Sequence, residues 1–390
     1  FFDVWQFDFE NRGAKFWRDL YQDETFNCYL AKRWFELTDT NNPLNYTTIT
    51  SLIQLEYNAF GPAVVPIGSF TLRNIFIDNY EGSYIRLSNF TGEENQAPKT
   101  LEAIVNNDCS WFFLFNQKHF QEIQGFKFGY WAKSKLREVL KSDKNIETYA
   151  PVRQGFQTGN NDRFIKLYWE IDFNKIGFSF KNTSEFHESN YSFAPYNKGG
   201  GFKKWYGNND YVVAFDENSY SMLSKMGNNL PSKKLYFNYS LTWSSLSSSS
   251  FGARYNGYGF TFSAKGACSF PLDKETGNFI LGMLNSKISS EILSFFSPTL
   301  DFNVGDIRQI PIPDISQLNL NNCFSLIESS IEISKEEWNS REISWDYIKN
   351  KLIQFRAQDL EETYDLFQQY WTNKFFQLHK NEEELNRQFI

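Results

Sequence analysis

The sequence predicts a mixed α/β (α+β) protein, and three observations carry that expectation. Short alternating apolar runs recur between Gly, Pro, Asn and Ser turns through most of the chain. The stretch GNFILGMLNSKISSEILSFF is apolar at helical spacing and reads as a buried helix. The tail then changes character: Leu360, Tyr364, Phe367, Trp371, Phe375 and Leu378 recur at steps of three or four, one face of a long amphipathic helix.

In chain order, KFWRDLYQDETFNCYLAKRWFEL reads as partly helical and ends in the turn-rich TDTNNPLN. TITSLIQLEY, AVVPIGSFTLRN and SYIRLSNF read as three strands, and APKTLEAIVN as a short helix. FQEIQGFKFGYWAKSKLREVL is a turn leading into a helix with lysines on its outer face. DRFIKLYWEI, DYVVAF, KLYFNYSLTW and GYGFTFSAKGACSF are strand-like, and the serine run in LTWSSLSSSSFG reads as a mobile loop rather than a linker. Pro298, Gly305 and Pro311 punctuate TLDFNVGDIRQIPIP, which closes a domain ahead of the tail. SKEEW (Ser334 to Trp338) and DLEE (Asp359 to Glu362) carry helix-capping spacing. The tail helix packs on the rest of the protein or offers a coiled-coil surface to a partner.

At 390 residues the chain is long enough for two or three domains. It opens Phe-Phe without Met, the expectation being a piece of a longer protein. No run of apolar residues is long enough to span a membrane, and no signal-peptide pattern is present. Cys28, Cys109, Cys268 and Cys323 lie far apart, and His119, His187 and His379 are the only histidines. That pattern predicts no metal site and a cytoplasmic protein. The 41 Phe read mainly as core, with base stacking open for a few.

Net charge is −7, but it is unevenly spread: residues 121–270 hold 19 Lys and Arg against 12 Asp and Glu. A +7 middle between acidic flanks is the electrostatic footprint of a polyanion-binding region, or a segregation of solvated charge.

Self-sufficient catalysis finds little support. There is no G-x-x-x-x-G-K-[ST], so Gly199-Gly200-Gly201 is not a Walker loop, and no G-x-G-x-x-G or G-x-S-x-G occurs. NNPLNY (Asn41 to Tyr46) lacks the second proline of an Asn-Pro-Pro-Tyr methyltransferase motif and is rejected. The sequence describes a binding module better than an enzyme complete in itself.

Several segments together resemble one family. AFGPAVVPIGSFTLRN with YEGSYIRL looks like the end of an adenine-N6 DNA methyltransferase domain. FQEIQGFKFGYW, RQGFQTGNNDRF, YNKGGGFKKWYGN, LTWSSLSSSSFGARY, LNSKISS, PTLDFNVGDIRQIPIP, SKEEWNSREISWDY and NEEELNRQFI then follow in the order of PglX, the DNA methyltransferase of BREX phage-defence systems. The resemblance covers about residues 50–390, and TGNN and LNSK are also similar to target-recognition domains of restriction-modification proteins. It implies an unclear, partly helical 1–46, the last strands of a Rossmann-like methyltransferase domain over 47–115, a DNA target-recognition domain over 116–315, and a helical segment over 316–390. It implies methyl transfer from S-adenosylmethionine to adenine by the full-length enzyme, with no cofactor bound by this chain alone. Double-stranded DNA is the implied partner, alongside other defence-system proteins or a phage inhibitor. The competing class is a non-catalytic interaction scaffold or specificity subunit.

Adenine chemistry inside a duplex requires the base to leave the stack. By its position in YNAFGPAVV, Phe60 is the expected stacking residue, core packing being the alternative. QGFQTGNNDRF offers Gln154, Gln157, Thr158, Asn160, Asn161 and Arg163 for base or phosphate contact, or is simply a turn of left-handed Gly and Asn. In YNKGGGFKKWYGN, Lys198, Lys203 and Lys204 are expected on phosphates, with Trp205 and Tyr206 as packing anchors. Ser244 and Arg254 are further phosphate candidates.

Overall fold

The computed structural model describes residues 48–56, 59, 68–73, 75–122, 129–246, 250–296, 301–312 and 320–389. Two compact units divide between residues 141 and 142.

The first unit is a four-stranded sheet in the order β2-β1-β3-β4. Its strands are β1 (Thr48–Gln54), β2 (Gly68–Arg73), β3 (Glu81–Arg86) and β4 (Phe112–Asn116). β1 pairs antiparallel with β2 and parallel with β3, and β4 returns antiparallel to β3. Alternation on β3 explains its central place, because successive residues face opposite sides. Tyr84 stacks on Tyr130 at 4.8 Å and packs with Ile49, Phe115 and Phe120. Ile85 joins Leu87 and Ala103, the latter from helix α1 (Glu93–Val105). Helix α2 (Ser134–Leu140) ends this unit.

The second unit holds two more four-stranded sheets. One runs β10-β9-β12-β5, the other β11-β7-β8-β6. The strands are β5 (Val152–Arg153), β6 (Ile165–Leu167), β7 (Phe193–Asn197), β8 (Tyr211–Ala214), β9 (Ser240–Trp243), β10 (Ala253–Gly257), β11 (Thr261–Phe262) and β12 (Cys268–Ser269). Between β8 and β9 stands α3 (Glu217–Leu223). Phenylalanine builds the core: Phe156, Phe164, Phe186, Phe215, Phe237 and Phe262 are all buried to 1 % or less. The segment around Ile310 bonds back to the start of the unit, with Ile146 N–H donating to Ile310 O and Ile312 N–H to Lys144 O.

Several sequence expectations need correction. DRFIKLYWEI does not form one strand. The Asn160 side chain accepts from Arg163 N–H at 3.1 Å and starts a helical turn, leaving only Ile165–Leu167 extended. The apolar stretch after it, expected as one helix, is two: α4 (Lys274–Leu284) and α5 (Lys287–Phe296). They break at Asn285, whose amide turns sideways to bond both the N–H and the C=O of Ala253 on β10. SKEEW does not start a helix either, since it lies inside α6 (Leu320–Asn339). DLEE does cap α7 (Leu360–Phe389): Asp359 Oδ1 accepts from Glu362 N–H, and Glu362 Oε2 accepts from Gln358 N–H. The aromatic stripe of α7 packs only in part. Leu385 and Asn381 are buried and Phe389 meets Phe279, but Leu360, Tyr364 and Phe375 are exposed.

Candidate nucleic-acid interface

The sheet's pairing sorts the expected contact residues. Ile165 at the start of β6 pairs with Val213 near the end of β8. The β7–β8 connection, which carries the triple glycine, leaves from the other end, beyond Asn197. The end of the turn at Arg163 and the stretch after Asn197 therefore leave β6 and β7 at opposite ends, whereas the start of the turn lies beside the end of β7: Phe156 bridges Ser263, whose N–H donates to Asn197 O.

The triple-glycine end turns inward. Lys203 Nζ pairs with Glu337 at 3.3 Å and Lys204 Nζ with Glu382 at 3.1 Å. Trp205, buried to 1 %, donates its indole N–H to the same Glu382 at 2.7 Å. Gly207 lies against the Trp338 ring, which an added Cβ would meet at 2.9 Å. The stretch thus fastens α6 and α7 to the β structure. Two lysines expected on phosphates already have carboxylate partners, because Glu337 and Glu382 arrive from far along the chain. Lys198 lies over the Tyr211 ring at 4.4 Å. Trp205 and Tyr206 are both buried.

Arg254 and Ser244 are interior, so the expectation that they meet a phosphate is corrected. Arg254 is buried to 1 % and donates to Ser244 Oγ at 3.2 Å, with Gly199 O at 3.5 Å. Burial pulls its guanidinium down to about 10, Cys268 and Asp210 acting against it, so it stays charged at neutral pH. Burial also raises Asp210, while Arg254 opposes the rise. The Cys268 thiol is pushed up to about 11, chiefly by burial, and is inert.

The turn at 154–163 faces outward. Gln154, Gln157, Asn160, Asn161 and Arg163 are exposed, and Thr158 is buried. Thr158 donates its hydroxyl to Asn161 Oδ1 at 2.8 Å, which holds the turn rather than offering a contact. Gly159 is left-handed at φ 73°, but Asn160 is not, at −151°. The side-chain amides of Gln154 and Gln157 have no hydrogen-bond partner among the described residues, leaving their donor and acceptor atoms available. Arg163 rests its guanidinium on Met222 Sδ at 3.0 Å.

A second loop holds this turn in place, and the sequence reading missed it. Asn228 Oδ1 accepts from Gln157 N–H at 2.7 Å, and Asn228 Nδ2 donates to Gly155 O at 3.1 Å. Ser232 Oγ donates to Gln154 O at 3.1 Å. At Gly227, φ 56°, a Cβ would stand 1.7 Å from Gln157 O, so only glycine lets the two backbones meet. The signal was present in the sequence: residues 218–272 contain five Lys and Arg and no Asp or Glu.

Phe60 lies outside the described residues. Among those residues no cluster of His, Cys, Asp and Glu fits a metal, and no helix is long and apolar enough to cross a membrane. A Cβ on Gly199 would meet Lys265 O at 2.9 Å and one on Gly200 would meet Asn208 at 2.8 Å, whereas one on Gly201 meets nothing within 4 Å.

No family model matches the chain. Two curated relatives do, and both are named adenine-specific methyltransferases. PglX of Lacticaseibacillus casei (strain Zhang) is 34% identical over 347 residues, covering 86% of this chain and 28% of the relative. BrxX of Escherichia coli O9:H4 (strain HS) is 29% identical over 320 residues, covering 80% of this chain and 25% of the relative. Among solved structures, the type IIL restriction-modification enzyme MmeI in complex with DNA overlaps with a TM-score of 0.41 at 12% identity, over 88% of this chain and 46% of that one. The chain belongs to the PglX family and matches the C-terminal part of its relatives. It spans about a quarter of the length of those curated relatives.

Proposed function

We propose that this chain is the DNA-recognition part of a site-specific adenine-N6 DNA methyltransferase of a phage-defence system, BREX-like or restriction-modification in type. S-adenosylmethionine and the methyl-transfer chemistry belong, on this reading, to the rest of the full-length enzyme. The observation that carries it is the outward turn at Gln154–Arg163. It presents two unbonded carboxamides, Gln154 and Gln157, beside Asn160 and Arg163, on a backbone pinned by Asn228 and Ser232. A Gln carboxamide can bond an adenine edge in two places, and a pinned backbone keeps that geometry without an ordering cost on binding. Replacing both Gln154 and Gln157 by Ala in the full-length enzyme tests the reading. It predicts methylation spread over more sequences, with discrimination falling by about 1–3 kcal/mol per contacted base. Unchanged site preference would overturn it.

One observation favours the scaffold reading. Along α7, Leu360, Tyr364, Phe375 and Phe376 are exposed, 73, 52, 47 and 59 % respectively. An exposed aromatic face of this kind suits a protein partner. The two readings are compatible within one defence complex.

A further inference from the structure

We infer that the loop Lys225–Lys234 is the phosphate grip of the recognition surface, working beside the turn that carries Gln154 and Gln157; this rests on the DNA-recognition reading above. Lys225, Lys233 and Lys234 are all exposed, and none meets a carboxylate among the described residues. This sets them apart from Lys203 and Lys204, whose charge is already neutralised within the fold. In sequence, Glu217 and Asp273 are the nearest carboxylates on either side of them.

The loop is also held stiffly, at a cost in backbone conformation. Asn229, Leu230 and Ser232 all have positive φ, at 58°, 50° and 59°. Left-handed backbone costs a non-glycine residue roughly 1–2 kcal/mol. It persists because neighbours over-determine it. Leu230 is buried to 3 %, the Tyr236 hydroxyl donates to Pro231 O at 2.7 Å, and Ser232 and Asn228 bond across to Gln154, Gly155 and Gln157. The Asn228 carboxamide bonds the neighbouring backbone as a strand would, so the loop that carries the exposed lysines is held directly beside the turn that carries the glutamines. Groove edges in a duplex are flanked by phosphates, so reading and gripping groups are needed side by side. Lysines make the grip indifferent to sequence, and the glutamines supply the choice.

The experiment uses the full-length enzyme and a random-sequence duplex, with binding followed from roughly 50 to 200 mM salt. The variants are the triple Lys225→Gln/Lys233→Gln/Lys234→Gln and a control triple at the exposed lysines Lys287, Lys349 and Lys380. Each phosphate contact contributes about 0.9 to the salt slope, so the grip triple loses about 2.7. A fourfold rise in salt then costs it about 40-fold less affinity than it costs wild type. The control triple keeps the wild-type slope, and thermal unfolding of both triples matches wild type. A grip triple with the wild-type slope overturns the grip and leaves the recognition reading standing. A wild type that binds no DNA overturns both.

Discussion

Gly227→Ala probes the contact on which the outward surface depends. Gly227 is left-handed, and a methyl group there stands 1.7 Å from the Gln157 carbonyl oxygen, against the 3.0 Å that real Cβ atoms respect. The two backbones must separate by more than 1 Å, which breaks the Asn228 bonds to Gln157 N–H and Gly155 O. The conformational penalty is roughly 1–2 kcal/mol, and each hydrogen bond contributes about 1 kcal/mol. The expected loss is about 3–4 kcal/mol, confined to this corner of the unit. Native-state hydrogen exchange reads it directly, because the Gln157 amide loses its acceptor and exchanges several hundred-fold faster, about 150- to 900-fold for that loss. Gly201→Ala is the matched control: a Cβ there meets nothing within 4 Å, so its stability stays within about 0.5 kcal/mol of wild type. If the two variants behave alike and Gln157 exchange is unchanged, the interlocking of the loops is wrong.

Three further outcomes follow from the rest of the unit. Glu382→Ala leaves Lys204 and the buried Trp205 indole without their acceptor, so it loosens α7 by about 2 kcal/mol and red-shifts tryptophan emission in denaturant titration, while DNA salt dependence stays as in wild type. Arg254→Ala empties a fully buried position and removes its bonds to Ser244 Oγ and Gly199 O, destabilising the second unit by about 3 kcal/mol in urea unfolding; a surface phosphate contact would lower DNA affinity with stability intact. Burial pushes Glu336 up, but bonds from Lys351, Tyr370 and Lys374 outweigh it and hold the carboxyl down at about 2. A depressed carboxylate adds stability above its unfolded value near 4.5, and that stability fades as pH falls toward 2. The tail of wild type should therefore loosen across that window by about 1 kcal/mol after solvent screening, and Glu336→Gln should lose the pH dependence.

What the sequence revealed and what it hid divide along physical lines. Local patterns were legible. The strands at Thr48–Gln54, Gly68–Arg73 and Glu81–Arg86 follow from alternation, and the Asp359 cap follows from residue spacing. Long-range partnerships were not. Nothing near Lys203 announces Glu337, and nothing near Lys204 announces Glu382, so two paired lysines read as free ones. Arg254 read as a surface cation because its sequence neighbours are serines and glycines, and burial is a property of the assembled sheets. Asn285, where the helix-like pattern breaks, bonds Ala253 on a strand far away in sequence, a partner its neighbours do not announce. The turn at Gln154–Arg163 stands out by composition, whereas the backbone bonds that tie it to Asn228 and Ser232, 71 to 78 residues on, have no local signal.

The glycine–lysine–aromatic stretch shows the same lesson from the other side. It has the composition of a DNA contact, yet Glu382 and Trp338 make it a fastening for the helical tail. Charge in a sequence marks a polyanion site only where the fold leaves it unpaired.

The salt dependence of duplex binding by the full-length enzyme, compared between wild type and the Lys225/Lys233/Lys234 triple to Gln, tests the central claim most directly. The account predicts steep wild-type salt dependence and a slope about 2.7 lower in the triple. Equal slopes, or no binding by wild type at low salt, would contradict it.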